Sequence, residues 1–420
     1  MQIEKYSLGI GDRFAHQGKP QLQALQTAKQ HGIEIVPVWN KSYREHQIIH
    51  SAPESVRREA DQAVRSLGWS SNYYVDADHI SLSHVDLFWQ ACDFFTIDIS
   101  DFIGRRADED AVADFTGRQE SFVGELHIPG LDQQIEISKK DIAGIAGNYL
   151  KGLCRARTVY EHIASHKGAD NFITEISLDE TAAAQRPVDL LFILKAIAEL
   201  QIPIQTIAPK FTGRFHKGVD YVGDRRRFSL EFEQDLAIIN YAVKKFHLPE
   251  NLKLSVHSGS DKFSLYPVIN QAIRKFDAGL HLKTAGTTWL EELIGLAEGG
   301  ADGLELAREI YRSAYSRLDE LRAPYATVID IDPTELPQPG QVDKWSGQEY
   351  AATLRHDPCN RQFNRHFRQL LHVGYKVAAE LGERYLQALE QNEQSIAKNV
   401  TENLYERHIK PLFMGKQHYI

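Results

Sequence analysis

Eight short runs of strand-forming residues recur along the chain, most of them separated by a stretch with helical periodicity. They are Tyr6–Gly11, Ile33–Trp39, Tyr73–Asp78, Phe94–Ile99, Phe172–Leu178, Ile204–Pro209, Leu252–His257 and Gly279–Thr284. Each is rich in Val, Ile, Leu or Phe and carries few charges before its C-terminal end. That is the composition of strands buried on both faces. The segments between them repeat apolar residues every three or four positions. Lys19–His31 stops at Gly32, a helix-ending residue. Ser51-Ala-Pro-Glu54 reads as a capping box, with Val56, Ala60, Ala63 and Leu67 on one face and Gly68 at the end. Asp189–Leu200, Ser229–Phe246 and Tyr266–Phe276 follow the same period. A strand followed by a helix, eight times over, implies parallel pairing and a closed (β/α)8 TIM barrel. A doubly wound open sheet is the alternative, weakened by the lack of a GxGxxG after the first run.

Two segments exceed this repeat. Residues 100–171 separate the fourth and fifth runs. They contain a hairpin pattern, Ser121–His127 and Gln134–Ser138 around Pro129-Gly130, and then a helix. This predicts an inserted subdomain. The barrel is expected over residues 1–300. Residues 301–420 read as a mainly helical C-terminal extension, with the proline-containing stretch Asp332–Gly340 as a loop.

At 420 residues and 42% hydrophobic content the chain can bury a large core. Its 48 basic and 57 acidic residues leave a net charge of −9, which argues against a nucleic-acid partner. No apolar run approaches the roughly 20 residues of a membrane helix. Cys92, Cys154 and Cys359 form no CxxC and no disulfide framework, and the N-terminus shows no secretory signal. The expected compartment is therefore cytoplasmic.

In barrel enzymes the chemistry sits at the C-terminal ends of the strands. All eight ends are loaded here. They carry Asp12-Arg13, Asn40-Lys41, Asp78-His79, Asp98 with Asp101, Asp179-Glu180, Lys210, His257-Ser258-Gly-Ser-Asp261-Lys262, and His281 with Lys283-Thr284. A single polar residue at a loop start is usually just solvated; eight converging ends make an active rim. His79, His257 and His281, with Asp78 and Glu180 nearby, could supply imidazole and carboxylate donors to a divalent cation. Zinc, manganese, nickel and cobalt all suit such donors. No HExxH is present, so the ligands would meet only through the barrel. The stretches HSGSDKFS (257–264) and TAGTT (284–288) are small, hydroxyl-rich and followed by helices, a setting that holds anions. Lys262 or Lys283 could pair there with a carboxylate. Asp12, Lys210, Ser258, Asp261 and Thr284 complete the candidate substrate contacts. His31, His162 and His418 read as surface residues, and His372 as packed in a helix.

The sequence resembles the tagaturonate/fructuronate epimerase family. The resemblance rests on GIGDRF (9–14), DADH (76–79), FTIDISD (95–101), SLDE (177–180), KGVDYVGD (217–224), HSGSDKFSLYP (257–267), KTAGTTWLE (283–291) and RQLLHVGY (368–375). These motifs occur in order and span nearly the whole chain. The resemblance implies a divalent-metal-dependent sugar-acid epimerase that interconverts D-tagaturonate and D-fructuronate in hexuronate breakdown. It implies Asp78 and Glu180 as an acid/base pair, with His79 and His257 as metal ligands. The third ligand, His281, rests on its barrel position. The inverted carbinol lies β to the ketone, so its C–H is not acidified. Retro-aldol cleavage and re-addition is the expected route, ahead of direct deprotonation. Asp78 and Glu180 would then titrate nearer neutrality than free carboxylates. A metal-dependent aldolase or a neutral-ketose epimerase is the rival function, and a non-catalytic sugar-acid-binding barrel the weakest. The expected partner is a small-molecule sugar acid, with no nucleic acid or membrane; homo-oligomer formation is left open.

Overall fold

The computed structural model describes residues 1–415 apart from Ala182. Eight strands close a parallel barrel: β1 (Tyr6–Ile10), β2 (Val36–Ser42), β3 (Tyr74–Ile80), β4 (Phe94–Asp98), β7 (Ile173–Ser177), β8 (Thr206–Ala208), β9 (Lys253–Val256) and β10 (Leu280–Lys283). They neighbour one another in chain order, and β10 returns to β1 with Tyr6 opposite Leu280 and Gly9 opposite Lys283. An open doubly wound sheet is thereby excluded.

Helices cover the outside and bury the other face of each strand. Gly18–Gln30 and Pro53–Leu67 pack together, as do Pro187–Glu199 and Arg225–Phe246. Gly32, at φ +83°, follows the first of these, as its position predicts. The second strand differs from its sequence reading. It begins at Val36 rather than Ile33, because β1 offers its first partner to β2 at Ser7, opposite Val36. The predicted capping box at Ser51 does not form. The Ser51 hydroxyl sits 2.7 Å from His46 Nδ1 instead, and the helix starts on Pro53 without a side-chain cap. Proline in the first turn needs no N–H partner there.

The segment between β4 and β7 pairs β5 (Gly124–Leu126) with β6 (Ile135–Ile137) in an antiparallel hairpin. A 29-residue helix, Lys139–Lys167, follows, opened by a Ser138–Asp141 capping box. It buries Ile142, Ile145, Leu153 and Ile163 against the barrel.

After β10 the chain is helical. A second apolar cluster gathers around Trp289, Tyr311, Tyr350, Phe367 and Tyr385. One of its helices, Arg365–Val373, carries Arg368 to the barrel. Arg368 is fully buried, donates to Asp261 Oδ2 at 2.6 Å, and donates also to the carbonyls of Gly218 and Leu354. The last helix, Asn403–Met414, puts Leu412 and Phe413 into the barrel's own core cluster. The extension thus meets the mouth through Arg368 and packs along the barrel's flank through its last helix. Among the described residues no helix is long and apolar enough to cross a membrane.

Candidate metal centre at the barrel mouth

Side chains on a strand alternate between its faces. On β7 that rule turns Glu175, Ser177 and, just past the strand, Asp179 into the barrel. On β9 it turns Lys253, Ser255 and His257 inward; on β3, Asp76 and Asp78; on β10, His281 and Lys283. His79 should point outward by this rule. It adopts φ +53°, and the β3–β4 register slips between Ala77 and Ile80. The bulge swings His79 back over the mouth, as bulges beside active sites do.

His79, Asp179 and His257 then meet, with ligand atoms all within 4.8 Å of one another. His257 Nδ1 lies 3.1 Å from Asp179 Oδ1, and His79 Nε2 lies 3.4 Å from the same oxygen. The second nitrogen of each ring is held by another carboxylate. His257 Nε2 is 2.7 Å from Glu175 Oε1, and His79 Nδ1 is 3.0 Å from Asp78 Oδ1. A carboxylate behind each histidine fixes the ring and directs the free nitrogen at a common point. Two imidazoles and a carboxylate so arranged fit a zinc-like or other first-row divalent ion. Burial opposes charging the rings, but Asp179 and Glu175 raise His257 to about 9, and Asp78 and Asp179 raise His79 well above its usual range. The same negative field favours a cation.

Beneath this cluster Lys283 bridges the barrel. Its ammonium lies 2.8 Å from Asp76 Oδ2, 2.6 Å from Asp78 Oδ1, 3.2 Å from Glu175 Oε1 and 2.6 Å from Thr96 Oγ1. Burial raises Asp76 to about 7 despite Lys283. Burial would raise Asp78 too, but Lys283 and His79 hold it well below the usual carboxylate range.

His281 does not join the cluster. It is paired in register with Ser255, two residues below His257, so it lies one layer deeper. Its Nδ1 meets Ser7 Oγ at 2.8 Å and its ring packs 5.3 Å from Phe94. Burial lowers it to about 3, and it stays neutral. Asp179 fills the place that the sequence reading gave to His281. Glu180, of opposite parity, is exposed on the rim, where its charge acts on Lys217.

A family profile for tagaturonate epimerases matches residues 1–412. The chain belongs to the tagaturonate epimerase family. A tagaturonate/fructuronate epimerase of Thermotoga maritima is 28% identical over 428 residues, covering 96% of this chain and 80% of that one. A glycerol-complexed crystal structure of fructuronate-tagaturonate epimerase from Cohnella laeviribosi superposes with TM-score 0.80 at 23% identity, over 98% of this chain and 82% of that one. A probable tagatose 6-phosphate kinase of Sinorhizobium meliloti reaches TM-score 0.50 at 11% identity, over 96% of this chain and 99% of that one.

Several motif residues of this family member are engaged in building the rim. Lys262 is buried and donates to the carbonyls of His216, Val219 and Ser260, at 2.8–3.0 Å. All three of its protons are thereby used, so it is not free for a substrate carboxylate. Lys283 is occupied in the same sense. Asp261, at φ +61°, pairs with Arg368. Asp12 accepts the N–H groups of Phe14, His16 and Gln17 and so closes the loop after β1. Thr284 donates to the Gly9 carbonyl, and Lys210 to that of Thr181. Ser258, at φ +48°, is half-buried beside His257. His372 is buried, its ring touching the sites of Gly218 and Gly286; it packs in its helix, as expected, and also reaches the rim. His31 is exposed and His162 partly so; His418 lies outside the described residues.

Proposed function

We propose that this chain is a divalent-metal-dependent epimerase that interconverts D-tagaturonate and D-fructuronate by retro-aldol cleavage and re-addition. The family membership supports the reaction. The observation that carries the metal is the convergence of His79, Asp179 and His257, each histidine backed by its own carboxylate. These three residues would hold the ion, and a bound dication supplies Lewis acidity to the ketone oxygen.

The remaining chemistry falls to the chain. Glu180, exposed at the mouth, accepts the proton of the β-hydroxyl as general base. The hydroxyl oxygen becomes a carbonyl, and the bond between the α and β carbons breaks. The electron pair stays on the ketone fragment as an enediolate. The aldehyde turns its other face, the bond re-forms with inverted configuration, and the proton returns to the new hydroxyl. Asp78 was expected as the partner acid/base. Its position between Lys283 and His79, and its strongly favoured carboxylate form, suit it better to holding His79 in place. Lys283 and the carboxylates it bridges form the buried floor beneath the cluster.

The test is conversion of D-tagaturonate in deuterium oxide. The reading expects D-fructuronate with no label at the inverted carbon. Label there would instead mean direct deprotonation. Release of free three-carbon fragments would mean an aldolase, and no conversion would remove the substrate assignment.

A further inference from the structure

The two lysines first expected to hold a substrate carboxylate are both saturated, Lys262 by carbonyls and Lys283 by carboxylates. Arg13 and Lys217 are two further cations at the mouth. Arg13 follows β1 and is only 5% exposed. One end of its guanidinium pairs with Glu45, its face lies 4.6 Å from the Tyr375 ring, and its buried Nε has no hydrogen-bond partner. Its Nη2 reaches toward Gly286, within 3.6 Å of where a β-carbon would stand there. Lys217 lies on the loop between β8 and the helix Arg225–Phe246. Among the described residues its ammonium has no hydrogen-bond or ion-pair partner. The His372 ring lies against both Gly218, the residue after Lys217, and the Gly286 site that Arg13 approaches; it is 2% exposed, with Nδ1 unpartnered.

The electrostatics agree with this geometry. Burial and the neighbouring Arg13 both pull Lys217 down, and burial with Arg13 and Lys217 keeps His372 neutral. A half-buried lysine beside a buried arginine and a neutral histidine, with only the arginine paired, is an arrangement that repels itself. An anion between them relieves it. Glu180, Asp78 and Asp179 act on Lys217 in the other sense, each less than burial and Arg13, so the net pull on Lys217 stays downward.

We propose that Arg13 and Lys217 form the subsite for the carboxylate of a keto sugar acid, so that the sugar chain runs from them toward the His79–Asp179–His257 cluster. The inference rests on the proposed function and adds the residues that select an acid over a neutral sugar.

The test uses Lys217→Met in the full chain. Two unreactive probes, D-gluconate and its neutral counterpart sorbitol, are titrated by calorimetry and as competitive inhibitors. Loss of one charge-assisted contact should weaken D-gluconate by about 10- to 100-fold and leave sorbitol within about threefold. KM for D-tagaturonate should rise by more than kcat falls, and Lys217→Arg should restore much of the affinity. Equal losses on both probes, or unchanged D-gluconate binding, would overturn the subsite. A wild-type chain that binds D-gluconate no better than sorbitol would overturn it too. Failure of the reaction reads differently. There the wild type does not convert D-tagaturonate, yet Lys217→Met still loses D-gluconate selectively.

Discussion

Replacing Lys283 with Met keeps the side chain's bulk and removes the one cation shared by Asp76, Asp78 and Glu175. All three carboxylates lie within 3.2 Å of its ammonium, and the side chains of Asp76 and Glu175 are fully buried. Even at an effective dielectric of about 20, one such contact at 4 Å is worth about 4 kcal/mol before solvation is counted. Most of that offsets desolvation while the pair is intact. Removing one partner leaves the desolvation uncompensated, at a net cost of about 3–5 kcal/mol. Urea unfolding at pH 8 should show that loss. It should shrink as pH falls, because the orphaned carboxylates have folded-state pKa values above their unfolded ones and take up protons first in the native state. Adding Glu175→Gln should recover part of the loss by removing one stranded charge. The opposing reading has Lys283 holding the substrate carboxylate. Under it the variant would keep its stability and lose only affinity for the acid. A destabilisation under about 1 kcal/mol with a raised KM would refute the structural role.

Glu175→Gln alone should weaken divalent-ion binding by about 10- to 100-fold in a chelator competition, since it loosens His257; unchanged affinity would remove its orienting role. Arg368→Met leaves the buried Asp261 carboxylate with only His356 and His408 beside it and should cost about 3–5 kcal/mol in urea unfolding. A neutral result would remove the Arg368–Asp261 pair from the rim's stability. His281 titrates at about 3 when folded and near 6.5 when unfolded. The unfolded chain therefore takes up a proton first as pH falls, and stability is lost between those values. At pH 5 the term amounts to roughly 2 kcal/mol, so His281→Leu should show a shallower acid limb than the wild type, and parallel limbs would contradict it.

The barrel was legible because its signal is repetition. Eight apolar runs with loaded C-terminal ends leave few topologies, and the motifs span the chain. The site was legible only where strand parity holds. On β7, Glu175, Ser177 and Asp179 share a face, so counting in twos could have put Asp179, rather than His281, beside His79 and His257 as the third ligand. The same count, carried across the β9–β10 register, separates the layer of His281 from that of His257. His79 reaches the cluster through a left-handed residue in a bulge, and nothing local in DADH announces it. The lysines misled for another reason. A lysine's position shows that its charge is near the mouth, while its availability depends on carbonyls and carboxylates from distant segments. Lys262 meets three carbonyls and Lys283 three carboxylates, and those partners appear only once the chain is folded.

The central claim is a metal held by His79, Asp179 and His257 and required for epimerisation. The direct measurement is D-tagaturonate turnover alongside bound-metal analysis, before and after chelation and after return of single divalent ions, in the wild type and in Asp179→Asn. The account predicts about one ion per chain, activity lost on chelation and regained with metal, and both metal and activity lost in the variant. Full turnover by metal-free protein, or an Asp179→Asn chain that keeps both metal and rate, would contradict it.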